Sequence, residues 1–503
     1  MTSPPVLQPV ADALGLSVPV VQFLLWFLAT LPVSWAWRLV PKGATQARHW
    51  YAAVTGAVVA HYALPPGSDW LLLAPVAMSY AAMVLWRRRC GQITFVLAFG
   101  FLLGCHVHFM SGESWKQGGI DATGALMVLT LKVISAAMNY QDGLLTEGVD
   151  NLRPAQKKYR IFYLPNPITY LGYCFNCGSH LAGPVYELRS YIDWTANKDI
   201  WSSEDVPRYL LPALQAVAKT LLCLGFYMYL SPHFTSSLFL ARIYQSWSGW
   251  QTFGFLWMCG FTARWKFYFI WSISEASLIL SGLGFTGWDR GQEASSKQAK
   301  WDRARNVDIP RVEFSGSGSL IPLHWNIHVG FWLRHYVYEP LSGIGGMGRG
   351  GLVQLVGTQV ISAVWHGLYI GYLLFFVHSA LMIAGARVIY KWQLWMTSDV
   401  HTSTPRIFSF WVFGSKWELK VPRSSGMLSV VKQALGWAIG FSYASSILHY
   451  SWAGFLLLNL KDTLLAYHRM YYAGTILPVI VILFGKFVKP PQPYMLKGMK
   501  KSK

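Results

Sequence analysis

GGLVQLVGTQVISAVWHGLYIGYLLFFVHSALMIAGA, residues 350–386, contains no Lys, Arg, Asp or Glu. Such a run is long enough for nearly two bilayer crossings at about 20 residues each, so it predicts membrane-embedded helix with His366 within or near the hydrocarbon layer. On a helix, Thr358, Ser362 and His366 fall at i, i+4 and i+8 with Gln359 and Tyr369 close by, a polar stripe on an otherwise apolar rod. A stripe of that kind faces a cavity or a neighbouring helix, because lipid offers it no hydrogen bonds.

The rest of the sequence repeats this pattern. Of 503 residues, 53% are hydrophobic and 13% charged, with 25 Trp, 26 Tyr and 28 Phe, and the apolar residues come in blocks of spanning length. A water-soluble globule built from those blocks would lack charged faces, so the chain reads as all-α: a polytopic membrane protein of about 11 transmembrane helices. The candidate spans are 17–40, 47–64, 70–86, 91–110, 122–140, 209–231, 247–285 (two spans, or one re-entrant), 352–390 (one long or two short), 427–448, 450–467 and 470–488. One membrane-embedded domain, 1–503, accounts for them, with polar loops near 141–208, 286–320 and 392–426 and a basic tail at 489–503. The net charge of +20 sits in short clusters at block ends, such as Arg87-Arg88-Arg89. That placement suits topology and anionic headgroups, and nucleic acid is not expected. No basic residue precedes the first apolar block, so it reads as a retained span; basic loops after the first and third spans then put the N-terminus in the lumen, and the C-terminus is expected in the cytosol, while the basic 286–320 loop favours the cytosol against a simple count of spans through 247–285. Six scattered cysteines, with Cys174 and Cys177 as a lone CxxC, read as buried thiols, and no metal site is expected.

Some forty residues before His366 lies LIPLHWNIHVGFWLRHYVYEPL, 320–341, with Asn326 among aromatic and aliphatic neighbours. Trp325-Asn326-Ile327, Trp332-Leu333-Arg334 and Tyr336-Val337-Tyr338, followed by Ser362-Ala363-Val364-Trp365-His366-Gly367, resemble the membrane-bound O-acyltransferases, and within them the lysophospholipid acyltransferases of plants and algae. NYQDGLL (139–145), GYCFNCGSHLAGPVYELRSYIDW (172–194), RWKFYFIWSISEASLILSGLGF (264–285) and NVDIPRVEF (306–314) extend the resemblance over about residues 10–490. The FYxDWWN-type motif of the sterol and diacylglycerol branches is absent.

The resemblance implies transfer of a fatty acyl chain from acyl-CoA to the free hydroxyl of a lysophospholipid, lysophosphatidylcholine first and lysophosphatidylethanolamine also, in the endoplasmic reticulum membrane. Acyl-CoA is then a substrate, and no cofactor is implied. Such a transfer needs a base for the hydroxyl proton and a donor for the thioester oxygen as it becomes negative. A neutral histidine supplies the first and an asparagine amide the second without adding charge to a dry site. His366 is therefore assigned as general base and Asn326 as its polarising partner, the positions that the resemblance also implies, although a histidine on an apolar helix is more often a packing residue.

Trp325, Arg334, Trp365, Ser362, Tyr369, Glu275 and Tyr186 are candidates for lining substrate. Glu275, in an apolar block with Arg264 and Lys266 two or three turns before it, equally suits a buried pair. His324, His328, His335 and His378 read as packing or lining residues. Two rivals stay open: acylation of another hydroxyl acceptor, and a transporter or lipid scramblase with Lys132, Glu275 and His366 along a transit path. The ending Lys500-Lys501-Ser502-Lys503 resembles a dilysine retrieval signal. Headgroup preference, chain preference and oligomeric state have no sequence signature here.

Overall fold

The computed structural model describes residues 5–110, 121–146, 148–202, 208–290, 297–341, 351–396, 405–412, 415–422 and 427–490; the dilysine motif lies outside them. Among the described residues, six helices are long and apolar enough to cross a bilayer: Val18–Leu39, Ser68–Leu85, Arg87–Phe109, Thr123–Gly143, Leu210–Leu230 and Ile370–Met396. Leu460–Arg469 and Ala473–Phe487 reach that standard as a pair, bent by 71°. Helix is imposed on such segments because hydrocarbon leaves each backbone N–H and C=O to find its partner within the chain. Four further helices occupy expected spans: Thr45–Ala63, Gly249–Ser281, Leu352–His366 and Met427–Leu457.

Several boundaries differ from expectation. The stretch 247–285 is neither two spans nor re-entrant; Gly249–Ser281 is one helix of 33 residues. The stretch 352–390, by contrast, takes the second of its two expected forms, two helices, because the chain leaves helical geometry at Gly367, whose φ of 135° and ψ of 166° suit glycine. The 427–448 and 450–467 spans are not separate: Met427–Leu457 runs through both and stops where Leu458 takes a φ of 65°. Two of the stretches expected as polar loops hold antiparallel hairpins, Gly287–Arg290 with Lys297–Lys300 and Pro405–Val412 with Ser415–Pro422, a β component that the all-α expectation did not include.

The described chain forms two compact units, 1–221 with 269–306 and 222–268 with 307–503. In the first, the almost wholly buried helix Thr123–Gly143 carries Lys132, whose ammonium donates to the carbonyls of Tyr173 (2.5 Å) and Cys174 (3.3 Å) and to Ser179 Oγ (3.2 Å). Those carbonyls end the helix Pro167–Phe175, so the lysine answers a helix C-terminus, with its orphan acceptors and negative dipole end. Arg38 does the same for the end of Gly249–Ser281, donating to Leu280 O (2.6 Å) and Ile279 O (3.4 Å). In the second unit, Ile370–Met396 and Met427–Leu457 approach closely through Gly371 and Gly454. A Cβ at Gly371 would stand 2.2 Å from Gly454 O, and the Gly371 N–H donates to Leu458 O (2.8 Å).

Candidate active site

His366 is the last residue of the helix Leu352–His366, and the Gly367 break lets the chain turn away directly after it. Its ring is partly buried against aromatic neighbours: Phe376 stacked at 5.1 Å, Trp365 at 4.8 Å, Tyr372 at 5.6 Å and Phe455 edge-on at 5.7 Å between centroids. Tyr372 and Phe376 lie one and two turns into Ile370–Met396 and Phe455 lies near the end of Met427–Leu457, so the Gly371–Gly454 approach sets the walls around the imidazole. Thr358 and Ser362 are buried behind it, Thr358 Oγ1 donating to Gln354 O (2.8 Å), so the polar stripe faces protein.

Asn326 sits at the start of the helix Ile327–Leu333 with φ 46° and ψ 54°. This left-handed conformation disfavours most side chains and tolerates Asn. The turn is framed on its N-terminal side: Val307 bridges Trp325 in antiparallel fashion, and Asp308 N–H donates to His324 O (2.9 Å). Trp325 packs edge-on against Phe267 (5.8 Å) and Tyr268 (5.7 Å) of the long helix and against Trp452 (6.4 Å). Phe455 completes the layer, lying 6.2 Å from Phe267 and 4.8 Å from Trp452 while it touches His366. The histidine and the Trp325-Asn326 turn thus stand against one continuous set of rings.

Beneath that layer is a charged cluster that sequence reasoning missed. Arg264 donates in bidentate fashion to Glu313, Nε to Oε1 and Nη2 to Oε2 at 2.8 Å each, and Nη2 also meets His449 Nε2 at 3.0 Å. Tyr268 OH donates to the same Glu313 Oε1 (2.5 Å). The only sequence signal was an arginine inside an apolar block, a place where a charge needs a partner, and that partner lies 49 residues away.

Of the other candidates, Trp365 and Ser362 are buried in the second unit, and Tyr369 lies edge-on to Tyr372 at 5.8 Å. Arg334 begins a π-helical turn, Arg334–Tyr338, with its side chain 68% exposed and paired to Glu339 (3.1 Å), which also meets His335 (3.2 Å). His378 is held by Leu374 O (2.7 Å) and Thr475 Oγ1 (2.8 Å), a satisfied packing histidine. Half-burial and the charge of Arg311 lower the His324 pKa against the pull of Asp308. Tyr186 and Glu275 belong to the first unit. Glu275 pairs there with Lys219 at 2.5 Å, and the Tyr186 ring lies 4.9 Å from the Lys132 ammonium. Lys132 itself caps the helix Pro167–Phe175.

The sequence pattern of the membrane-bound O-acyltransferase family matches residues 107–415, a stretch that includes both Asn326 and His366. Lysophospholipid acyltransferase 1 of Arabidopsis thaliana is 46% identical over 98% of this chain and 99% of its own length. Lysophospholipid acyltransferase 2 of the same plant is 45% identical over 97% and 98%. The human membrane-bound glycerophospholipid O-acyltransferase 2 is 25% identical over 96% and 88%. With a family match across most of its length and full-length relatives at this identity, the chain belongs to the membrane-bound O-acyltransferase family.

Proposed function

We propose that this acyltransferase moves a fatty acyl chain from acyl-CoA to the free hydroxyl of a lysophospholipid, lysophosphatidylcholine first among acceptors and lysophosphatidylethanolamine after it. The observation that carries the reading is the aromatic layer that joins His366, through Phe455 and Phe267, to the Trp325-Asn326 turn. Walls of that kind keep water from a thioester that it would otherwise hydrolyse. In the reaction, the acceptor hydroxyl attacks the thioester carbonyl while His366 takes its proton, and the Asn326 amide donates to the oxygen that gains the negative charge. Collapse of the tetrahedral intermediate breaks the C–S bond; the thiolate of CoA leaves and recovers the proton from His366. The acyl group passes directly between substrates, with no acyl-enzyme, and neither metal nor cofactor has a step to perform. About eleven spans surrounding the reaction centre, residence in the endoplasmic reticulum, a lumenal N-terminus and a cytosolic C-terminus complete the proposal.

The test is His366→Ala in purified protein supplied with acyl-CoA and lysophosphatidylcholine, read as free CoA. Loss of a general base lowers turnover by about 10² to 10⁴. His378→Ala, which removes a histidine held by Leu374 and Thr475, is the control and retains most activity. Near-normal CoA release from well-folded His366→Ala protein would refute the base assignment. Wild-type protein that releases no CoA with any lysolipid but does so with another hydroxyl acceptor would move the substrate class.

A further inference from the structure

The Arg264–Glu313 pair is almost dry: the arginine side chain is 2% exposed and the glutamate 9%. Removing two charges from water is costly, and an apolar pair of similar volume commonly serves stability as well or better. Four polar groups nevertheless converge there, since Tyr268 OH and His449 Nε2 join the two ions. The elements they join are the ones that carry the reaction centre. Glu313 ends the short helix Ile309–Glu313, and just before that helix Val307 and Asp308 are tied to Trp325 and His324, the two residues before Asn326. Tyr268 donates to Glu313 and packs edge-on against Trp325. On the other side the Arg264 guanidinium lies 5.9 Å from the ring of Trp452, which packs against Phe455 and so reaches the wall of His366.

We propose that the Arg264–Glu313 ion pair is a positioning device for acyl transfer: it ties the 307–326 segment to the long helix and thereby fixes where the Asn326 amide stands. Neither ion touches substrate in this account. Its geometry suits the task, because a bidentate arginine–carboxylate pair fixes orientation as well as distance, which an apolar contact does not. The inference rests on the assignment of Asn326 made above.

Single charge deletions leave the partner buried and uncompensated, so the informative variant removes both charges. Arg264→Met/Glu313→Leu keeps the volume and removes both charges; it also takes a partner from Tyr268 OH and His449 Nε2, so the protein is expected to elute as a single species and to melt somewhat below wild type. Its kcat is expected to fall about tenfold to a hundredfold with the lysolipid KM changed by less than about threefold, the response to a displaced catalytic group rather than a lost binding surface. Arg264→Lys, which keeps the charge and loses the fork, should fall between. The same pair of substitutions made in an Asn326→Gly background should cost little beyond Asn326→Gly alone, since the amide being placed is already gone. A folded double variant with wild-type kcat overturns the proposal. Multiplicative losses in the combined variant overturn it too, while Asn326 keeps its role. Full activity of Asn326→Gly alone removes the Asn326 assignment and the proposal with it.

Discussion

Replacing Asn326 separates two reasons for an asparagine at that point. Its backbone is left-handed, φ 46° and ψ 54°, a conformation that costs an ordinary L residue roughly 1–2 kcal/mol, costs Asn less and costs Gly nothing. Its amide, in the proposed reaction, donates to the developing oxyanion, and removing one such donor costs about 10² to 10³ in kcat, roughly 3–4 kcal/mol of transition-state stabilisation. Alanine loses both, so Asn326→Ala should be less stable by about 1 kcal/mol and slow by the full factor. Glycine loses only the amide, so Asn326→Gly should melt with wild type and be as slow as Asn326→Ala. Aspartate tolerates the backbone but puts an acceptor where a donor is needed, so Asn326→Asp should be slow as well. Turnover is followed as CoA released from purified protein in nanodiscs, and stability as the melting temperature of the same samples. An active Asn326→Gly would mean that the position is a turn and nothing more.

Three further perturbations reach other parts of the argument. Gly371→Ala places a Cβ 2.2 Å from Gly454 O and 2.8 Å from Leu458 O, so the two helices must part and carry Tyr372 and Phe455 away from His366. About 1–3 kcal/mol of stability and about 10²-fold in turnover should go with it, whereas Gly100→Ala, with nothing within 4 Å of the added methyl, should behave as wild type; equal activity of the two would show that the glycine contact does not govern the site. Lys219→Met strands the Glu275 carboxylate and should cost about 3–5 kcal/mol, most of it recovered in Lys219→Met/Glu275→Leu; a harmless single variant would dissolve the pair. Burial, aided by the Lys132 charge, holds the His180 pKa down to about 3, so the unfolded chain takes up a proton below its ordinary value of about 6.5 while the folded chain does not. Stability should therefore fall, by at most about 1.4 kcal/mol per pH unit, as pH drops from that value toward 3, and His180→Gln should flatten the melting temperature between pH 7.5 and 5; parallel profiles would place the acid sensitivity elsewhere.

The proposed pair, His366 and Asn326, stands out in the sequence because chemistry and context coincide there: a histidine in an uncharged run, an asparagine among apolar neighbours, each inside a motif with order and spacing. What supports the pair does not. Hydropathy falls at Arg264 and Lys266, so the block 247–285 reads as two pieces, yet Glu313 neutralises Arg264 from 49 residues away and the helix continues unbroken. A one-dimensional profile counts that arginine as a break, since it cannot see a partner on another element. The stop at Leu458 is equally hidden, because leucine is a poor candidate for positive φ and only the Gly371 N–H bond to its carbonyl gives the turn a reason. The second hairpin is a different failure: Lys416, Glu418 and Lys420 alternate with Trp417, Leu419 and Val421, a period of two that was present and went unread because the stretch was polar overall. What the sequence does not give is thus the pairing of residues whose meaning depends on a distant partner: Arg264 stands out as a charge in an apolar block, but nothing local joins it to Glu313. The proposed reaction centre, whose two groups lie forty residues apart on separate helices, has to be held in register by contacts of that long-range kind, and buried pairs that a hydropathy profile treats as interruptions supply them.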